Sequence, residues 1–195
     1  RIDVRGRTEA LAIHTAERAV VLRLPDGTVE SLGYDELVLT PGAAPVRPPI
    51  PGIEHALTLR DVTDLDRLIG AAEATEEAVV IGAGFIGVEV AETLVARGIA
   101  VHLVEAAGHV IAPLDPEMAE PVHARLRSHG VDLRLHSRVV GIDSDGVTLD
   151  SGERLPGALV LAAIGVRPES RLAAEAGLEV TASGAIAVGG HWATT

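Results

Sequence analysis

A chain of 195 residues with 47% hydrophobic side chains can bury a sizeable core, enough for one large domain or two small interleaved ones. Acidic residues outnumber basic ones 28 to 16, for a formal net charge of −12, and aromatics make up only 2%, whereas a nucleic-acid binder needs a positive footprint and stacking rings. The absence of cysteine excludes disulfide frameworks, thiolate zinc sites and thiol catalysis for these residues. The longest charge-free apolar stretches, 78–88 and 155–166, fall short of the ~20 residues of a membrane span. A cytoplasmic protein with no membrane or nucleic-acid partner is expected, and a chain that opens on Arg1 is expected to be a segment of something longer.

Taken in chain order, the first forty residues read as short strands. Ala10–Ile13, Ala19–Leu24 and Thr28–Ser31 form an antiparallel meander around the turn Pro25-Asp26-Gly27, where proline presets one dihedral and Asp-Gly tolerates the positive ones. Leu37-Val38-Leu39 predicts a fourth strand, running into Thr40-Pro41-Gly42 and a proline-rich connector over 45–52 that marks a boundary between two units. Beyond it, Val62, Leu65, Leu68 and Ile69 have helical spacing within 61–72. Ala78–Ile81 is a strand, and a helix follows from about Ile86 to Arg97, closed by Gly98. Ala100–Val104 is the next strand.

Asp115-Pro116-Glu117 has the form of a helix start, but Pro121 should kink that helix or delay its beginning to about Met118. Gly130 stops it, and Val131–Leu135 is a strand. Val139–Asp143, Val147–Leu149 and Leu159–Ile164 then predict a second meander. An internal echo links two regions: a turn, a short strand and an apolar triplet lead into Gly42-x-x-Pro45, and again into Gly165-x-x-Pro168. Either any two hairpin–strand units look this much alike, or two related nucleotide-binding domains contribute to the chain.

The motif with the most chemistry is Gly82-Ala83-Gly84-Phe85-Ile86-Gly87, set between a strand and a helix. Gly82 permits the sharp turn, Gly84 lets the backbone approach a pyrophosphate, and Gly87 lets helix and sheet pack closely. The phosphates would rest on the unpaired amides of the helix N-terminus, where the dipole favours anions. Glu105 ends the next strand 23 residues after Gly82, near the ~20 expected of an acid that accepts hydrogen bonds from an adenosine ribose. A 2′-phosphate there would face a carboxylate, and Ala106-Ala107-Gly108 offer no arginine, so NAD(H) is expected over NADP(H). Glu89 would fall in the first helical turn, where a carboxylate gains from the dipole. The histidines show no metal spacing, and no catalytic residue stands out.

These residues carry a resemblance to the pyridine nucleotide-disulfide oxidoreductase family of flavoproteins. The matching pieces are Tyr34-Asp35-x-Leu37-Val38-Leu39-Thr40-x-Gly42-x-x-Pro45, Val80-Ile81-Gly82-x-Gly84-x-Ile86-Gly87-x-Glu89 and Ile164-Gly165-Val166-Arg167-Pro168. Pro48-Pro49-Ile50-Pro51-Gly52 and Pro113-Leu114-Asp115-Pro116-Glu117-Met118 look most like coenzyme A-disulfide reductases and related NADH oxidases or persulfide reductases. The resemblance implies an α/β fold: a Rossmann-like NAD(H) domain over 49–165, with a central parallel sheet, helices and an antiparallel meander. Residues 1–48 and 166–195 would be remnants of a flanking FAD domain.

It also implies roles for particular residues. Gly82, Ala83, Gly84, Phe85, Ile86 and Gly87 would carry the pyrophosphate and Glu105 the ribose. Val139 and Val140 would flank the adenine, Glu89, Ile164 and Gly165 would lie near the nicotinamide, and Thr40 and Gly42 near FAD. The family's redox-active cysteine and its terminal FAD motifs would lie outside these residues. The segment is therefore expected to bind NADH without turning over alone, and the whole protein to be a homodimer. Two alternatives remain at this point, a cysteine-free ferredoxin- or rubredoxin-reductase type of flavoprotein and a dinucleotide-sensing regulatory domain.

Overall fold

The computed structural model describes residues 2–194. The backbone divides into two compact units, one comprising the residues up to Ala44 and from Arg167 onward, the other Pro45–Val166. Among the described residues no helix is long and apolar enough to cross a membrane.

The first unit opens with the strands β1 (Glu9–His14), β2 (Ala19–Arg23) and β3 (Val29–Gly33), paired in sequence order as an antiparallel sheet. The turn between β2 and β3 is held as the sequence suggests: Asp26 accepts the Thr28 N–H at 2.9 Å, and Gly27 sits at φ +85°. Leu37–Leu39 is not a strand. Val38 is 83% exposed and has no ladder neighbour among the described residues, so an apolar triplet alone does not make extended pairing. The next strand, β4, is Ala43–Pro45.

In the second unit, α1 (Val62–Glu73) starts at Asp61, whose side chain accepts the Asp64 N–H at 2.9 Å. Then come β5 (Glu77–Ile81), α2 (Phe85–Ala96), β6 (Ala100–Val104), α3 (Pro116–Ser128) and β7 (Asp132–Arg134). Strands β8 (Val139–Asp143), β9 (Gly146–Leu149) and β10 (Arg154–Pro156) form the antiparallel meander. Strand β11 (Leu159–Ala162) returns to the parallel sheet, whose order is β11-β5-β6-β7.

Two expectations change here. The meander's third strand is β10, and 159–162 pairs with β5 instead. All four of its residues are buried, because a strand covered on both faces needs a continuous apolar run rather than an alternating one. Helix α3 begins at Pro116 and runs unbroken through Pro121. The exposed proline forfeits one backbone bond, and Asp115 still accepts the Met118 and Ala119 N–H groups at 2.9 and 3.1 Å.

Alternation along the parallel strands produces a three-layer sandwich. Ala78, Val80, Val101, Leu103 and Leu161 face Leu68 of α1, Ala91 and Leu94 of α2, and Ala119 and Leu126 of α3. Val79, Ile81, Val104 and Val160 face the opposite way, onto Ile142, Val147, Leu149 and Leu155 of the meander. Because β11 and β6 flank β5 on opposite sides, the carboxyl end of β5 is a topological switch point, where α/β sheets place ligands.

The chain re-enters the first unit through β12 (Val166–Pro168), which pairs with β4, and then forms α4 (Arg171–Glu175). The two Gly-x-x-Pro segments of the echo bond reciprocally: Val46 N–H donates to Gly165 C=O, and Glu169 N–H to Gly42 C=O, each at 3.0 Å. Both glycines have positive φ. Leu172 and Ala176 pack with Ile13, Val20 and Leu22 in a small core of this unit.

Candidate dinucleotide cleft

At the end of β5 the chain turns sharply. Gly82 sits at φ +97°, and a Cβ there would lie 2.6 Å from Ala163 O. A Cβ on Gly87 would lie 1.9 Å from Gly82 O, so α2 can approach the turn only with glycine at that position. At Gly84 a Cβ would meet nothing within 4 Å, since that face opens outward. Gly84 caps α2 without a side-chain bond, and Val88 N–H is the first to bond back, to Gly84 O at 3.0 Å. The amides before it form an unpaired helix terminus with the polarity an anion requires.

Glu105, leaving β6, closes over this turn. Its Oε2 accepts the Ala83 N–H at 2.7 Å and its Oε1 the Ala107 N–H at 2.8 Å. An ionised carboxylate offers about four acceptor positions, so two remain for hydroxyl donors. Its backbone is fixed too: Glu105 N–H donates to Arg134 O (2.8 Å) and Glu105 O accepts Ser137 N–H (3.0 Å).

Turn and carboxylate belong to one cleft of about 740 Å³, lined wholly by the Pro45–Val166 unit. Gly82, Ala83, Gly84, Phe85, Ile86 and Glu105 line it, as do Val139, Val140, Ile164 and Gly165. Gly87 supports the turn from behind, buried under Gly82 O. Glu89 does not line the cleft and is not in the first turn, because α2 already starts at Phe85 and places Glu89 one turn further on. Thr40 and Gly42 belong to the other unit.

Sequence reasoning missed the rest of the wall. His109 and Ala112 arrive on the loop after β6, and Arg138 just ahead of β8. No spacing rule marks such loop residues; only the closing of β6, β7 and β8 around one end brings them together. The apolar floor, from Ile81 and Val104 to Val139, suits a purine or pyridine ring. Among the described residues, no group of three or more His, Asp or Glu side chains could hold a metal ion.

The chain is similar to known proteins over most of its length. The family model described as pyridine nucleotide-disulphide oxidoreductase matches residues 1–195. The nitric oxide reductase FlRd-NAD(+) reductase of Aeromonas hydrophila is 39% identical over 153 residues, covering 75% of this chain and 39% of that protein. The rubredoxin-NAD(+) reductase of Pseudomonas putida is 33% identical over 188 residues, 92% of this chain and 48% of that protein. The chain thus spans less than half the length of these relatives. Among solved structures, the reduced CoADR-RHD of Bacillus anthracis superposes with a TM-score of 0.92 at 39% identity, covering 96% of this chain and 35% of that one. The NAD-dependent persulfide reductase of A. fulgidus gives 0.93 at 37% identity, with 96% and 36% covered. With a family model matching from end to end and a dinucleotide-type turn at its switch point, the chain belongs to the pyridine nucleotide-disulphide oxidoreductase family.

Proposed function

We propose that this chain is the NADH-binding portion of an FAD-dependent oxidoreductase, with residues 49–165 as the dinucleotide domain and 1–48 and 166–195 as flanking parts of an FAD domain. The observation that carries the reading is the Glu105 carboxylate, tied to the Ala83 N–H across a glycine turn whose outer face is open. A pyrophosphate fits that face, and the two free acceptor positions of Glu105 fit the adenosine ribose hydroxyls. Val139 and Val140 flank the adenine, while Ile164 and Gly165 lie toward the nicotinamide, the end to which the family resemblance also assigns Glu89, although Glu89 does not line the cleft. Thr40 and Gly42 contribute to the FAD side.

When bound, NADH supplies a hydride and flavin accepts it. This chain's own part is to bind and orient the dinucleotide, so its catalytic contribution is positioning. Titrating the purified chain with NADH and NADPH tests the reading. NADH is expected to bind more tightly, because a 2′-phosphate would meet the Glu105 carboxylate. Equal or tighter NADPH binding overturns the NAD(H) assignment, and a chain that retains FAD and oxidises NADH unaided overturns the claim that it does not turn over alone. A second reading, favoured by the Pseudomonas relative's name, gives the whole protein a rubredoxin-like acceptor instead of a disulfide. NADH-driven reduction of rubredoxin against that of coenzyme A disulfide by the whole protein separates the two.

A further inference from the structure

Helix α3 carries a histidine that the cleft does not touch. The His123 side chain is only 2% exposed, yet neither of its ring nitrogens is idle. Nε2 lies 3.2 Å from the Val110 N–H and Nδ1 3.3 Å from Glu120 Oε1, one helical turn back. A backbone amide can only donate, so Nε2 is the acceptor and the ring proton sits on Nδ1, directed at Glu120.

Val110 lies in the loop that joins β6 to α3, and this loop builds one wall of the cleft through Ala106, His109 and Ala112. Its shape is not relaxed. Ile111, a β-branched residue, is held at φ +52°, which persists only where neighbouring contacts enforce it. Two contacts do so on consecutive amides. Val110 N–H goes to His123, and Ile111 N–H goes to Ala83 O at 2.8 Å. The Ala83 N–H is the one that Glu105 accepts. The peptide units on either side of Ala83, in the glycine turn, are therefore gripped from both ends of one loop.

We propose that His123 is a positioning residue for the dinucleotide cleft: as the Nδ1–H tautomer it holds the strained loop after β6, and that loop holds Ala83 and Glu105 in register. This rests on the dinucleotide reading of the cleft. A merely space-filling histidine makes a different prediction, because leucine would fill the same core while leaving the buried Val110 N–H without an acceptor. Glutamine supplies an acceptor and a donor, so it can replace both bonds.

The test compares His123→Leu, His123→Gln and Glu120→Ala with the unaltered chain. Read-outs are NADH and ADP-ribose affinity, exchange of the Val110 amide, and ¹⁵N shifts of the His123 ring. His123→Gln is expected to bind both ligands within about threefold of the unaltered chain. His123→Leu should bind both at least tenfold more weakly, with faster Val110 exchange. Should His123→Leu fail to unfold cooperatively, Glu120→Ala decides, because its exposed site spares the fold. There the Val110 N–H keeps the ring proton on Nδ1, and loss of the carboxylate that orients the ring should speed Val110 exchange and weaken binding two- to fivefold. The ring of the unaltered chain should show a protonated Nδ1 and a bare Nε2. A folded His123→Leu, or Glu120→Ala, that binds at unaltered strength overturns this proposal alone, as does a ring protonated on Nε2. Failure of the unaltered chain to bind NADH or ADP-ribose overturns the dinucleotide reading, and this proposal with it.

Discussion

Glu105 receives two backbone N–H groups on one carboxylate, so its orientation is set before any ligand arrives. Glu105→Gln keeps the shape but leaves an amide NH2 facing one of those donors and removes the charge. Bonds to charged groups contribute about 1.5–3 kcal/mol, so NADH affinity measured by calorimetry should fall roughly 10- to 100-fold. Gly87→Ala is expected to do more, since its Cβ would stand 1.9 Å from Gly82 O. The turn must open, lowering stability by about 1–3 kcal/mol in urea titrations and abolishing dinucleotide binding. The acid was legible from its distance to the glycines, but its partners were not, because backbone donors at Ala83 and Ala107 carry no residue-type signature. Arg138 and His109 escaped for a related reason: their place in the cleft depends on which loops the sheet order gathers.

Helix α3 bears the clearest conflict between an element and its sequence. Pro121 is exposed and packs no core, so Pro121→Ala should restore a helical bond and raise stability by about 1–3 kcal/mol, read as a higher urea midpoint. The edge and meander strands are joined by carboxylates whose ionisation matters. Burial works against ionising Asp132, but hydrogen bonds from His102 and Arg134 outweigh it and hold the group below the usual carboxylate range. Asp143 lies lower still, through its paired bonds from Arg154 and the Asp145 N–H. Groups so depressed add stability that is complete above the ordinary carboxylate range near pH 4 and lost as pH falls through their folded values. Asp132→Asn should therefore flatten the decline in urea midpoint below pH 4 while leaving the curve above pH 5 parallel to that of the unaltered chain. Both sites are substantially exposed, so the effect is modest and shrinks in salt. Most helices and strands could be read from period and helix stops, as at Gly98 and Gly130. What could not be read was partnership: Leu159–Ala162 is a strand by either reading, and only the tertiary fold decides whether it joins the meander or β5.

Across the molecule, cohesion is uneven. The Pro45–Val166 unit packs two apolar layers against its parallel sheet, whereas the buried core of the other unit centres on Ile13, Val20 and Leu22. Hydrogen exchange should find the amides of β5 and β11 most protected and those of β1–β3 least. Saturating NADH, at about 100 times its dissociation constant, should stabilise the larger unit by roughly 2.7 kcal/mol and leave exchange in β1–β3 unchanged. The bond from Val46 to Gly165 adds something to that unevenness. It ties the entry of the larger unit to its exit, so the stretch between them is a cassette whose cut ends already meet. Such a piece can be grafted into a new host loop, or circularly permuted by joining those ends, without stretching the sheet it encloses.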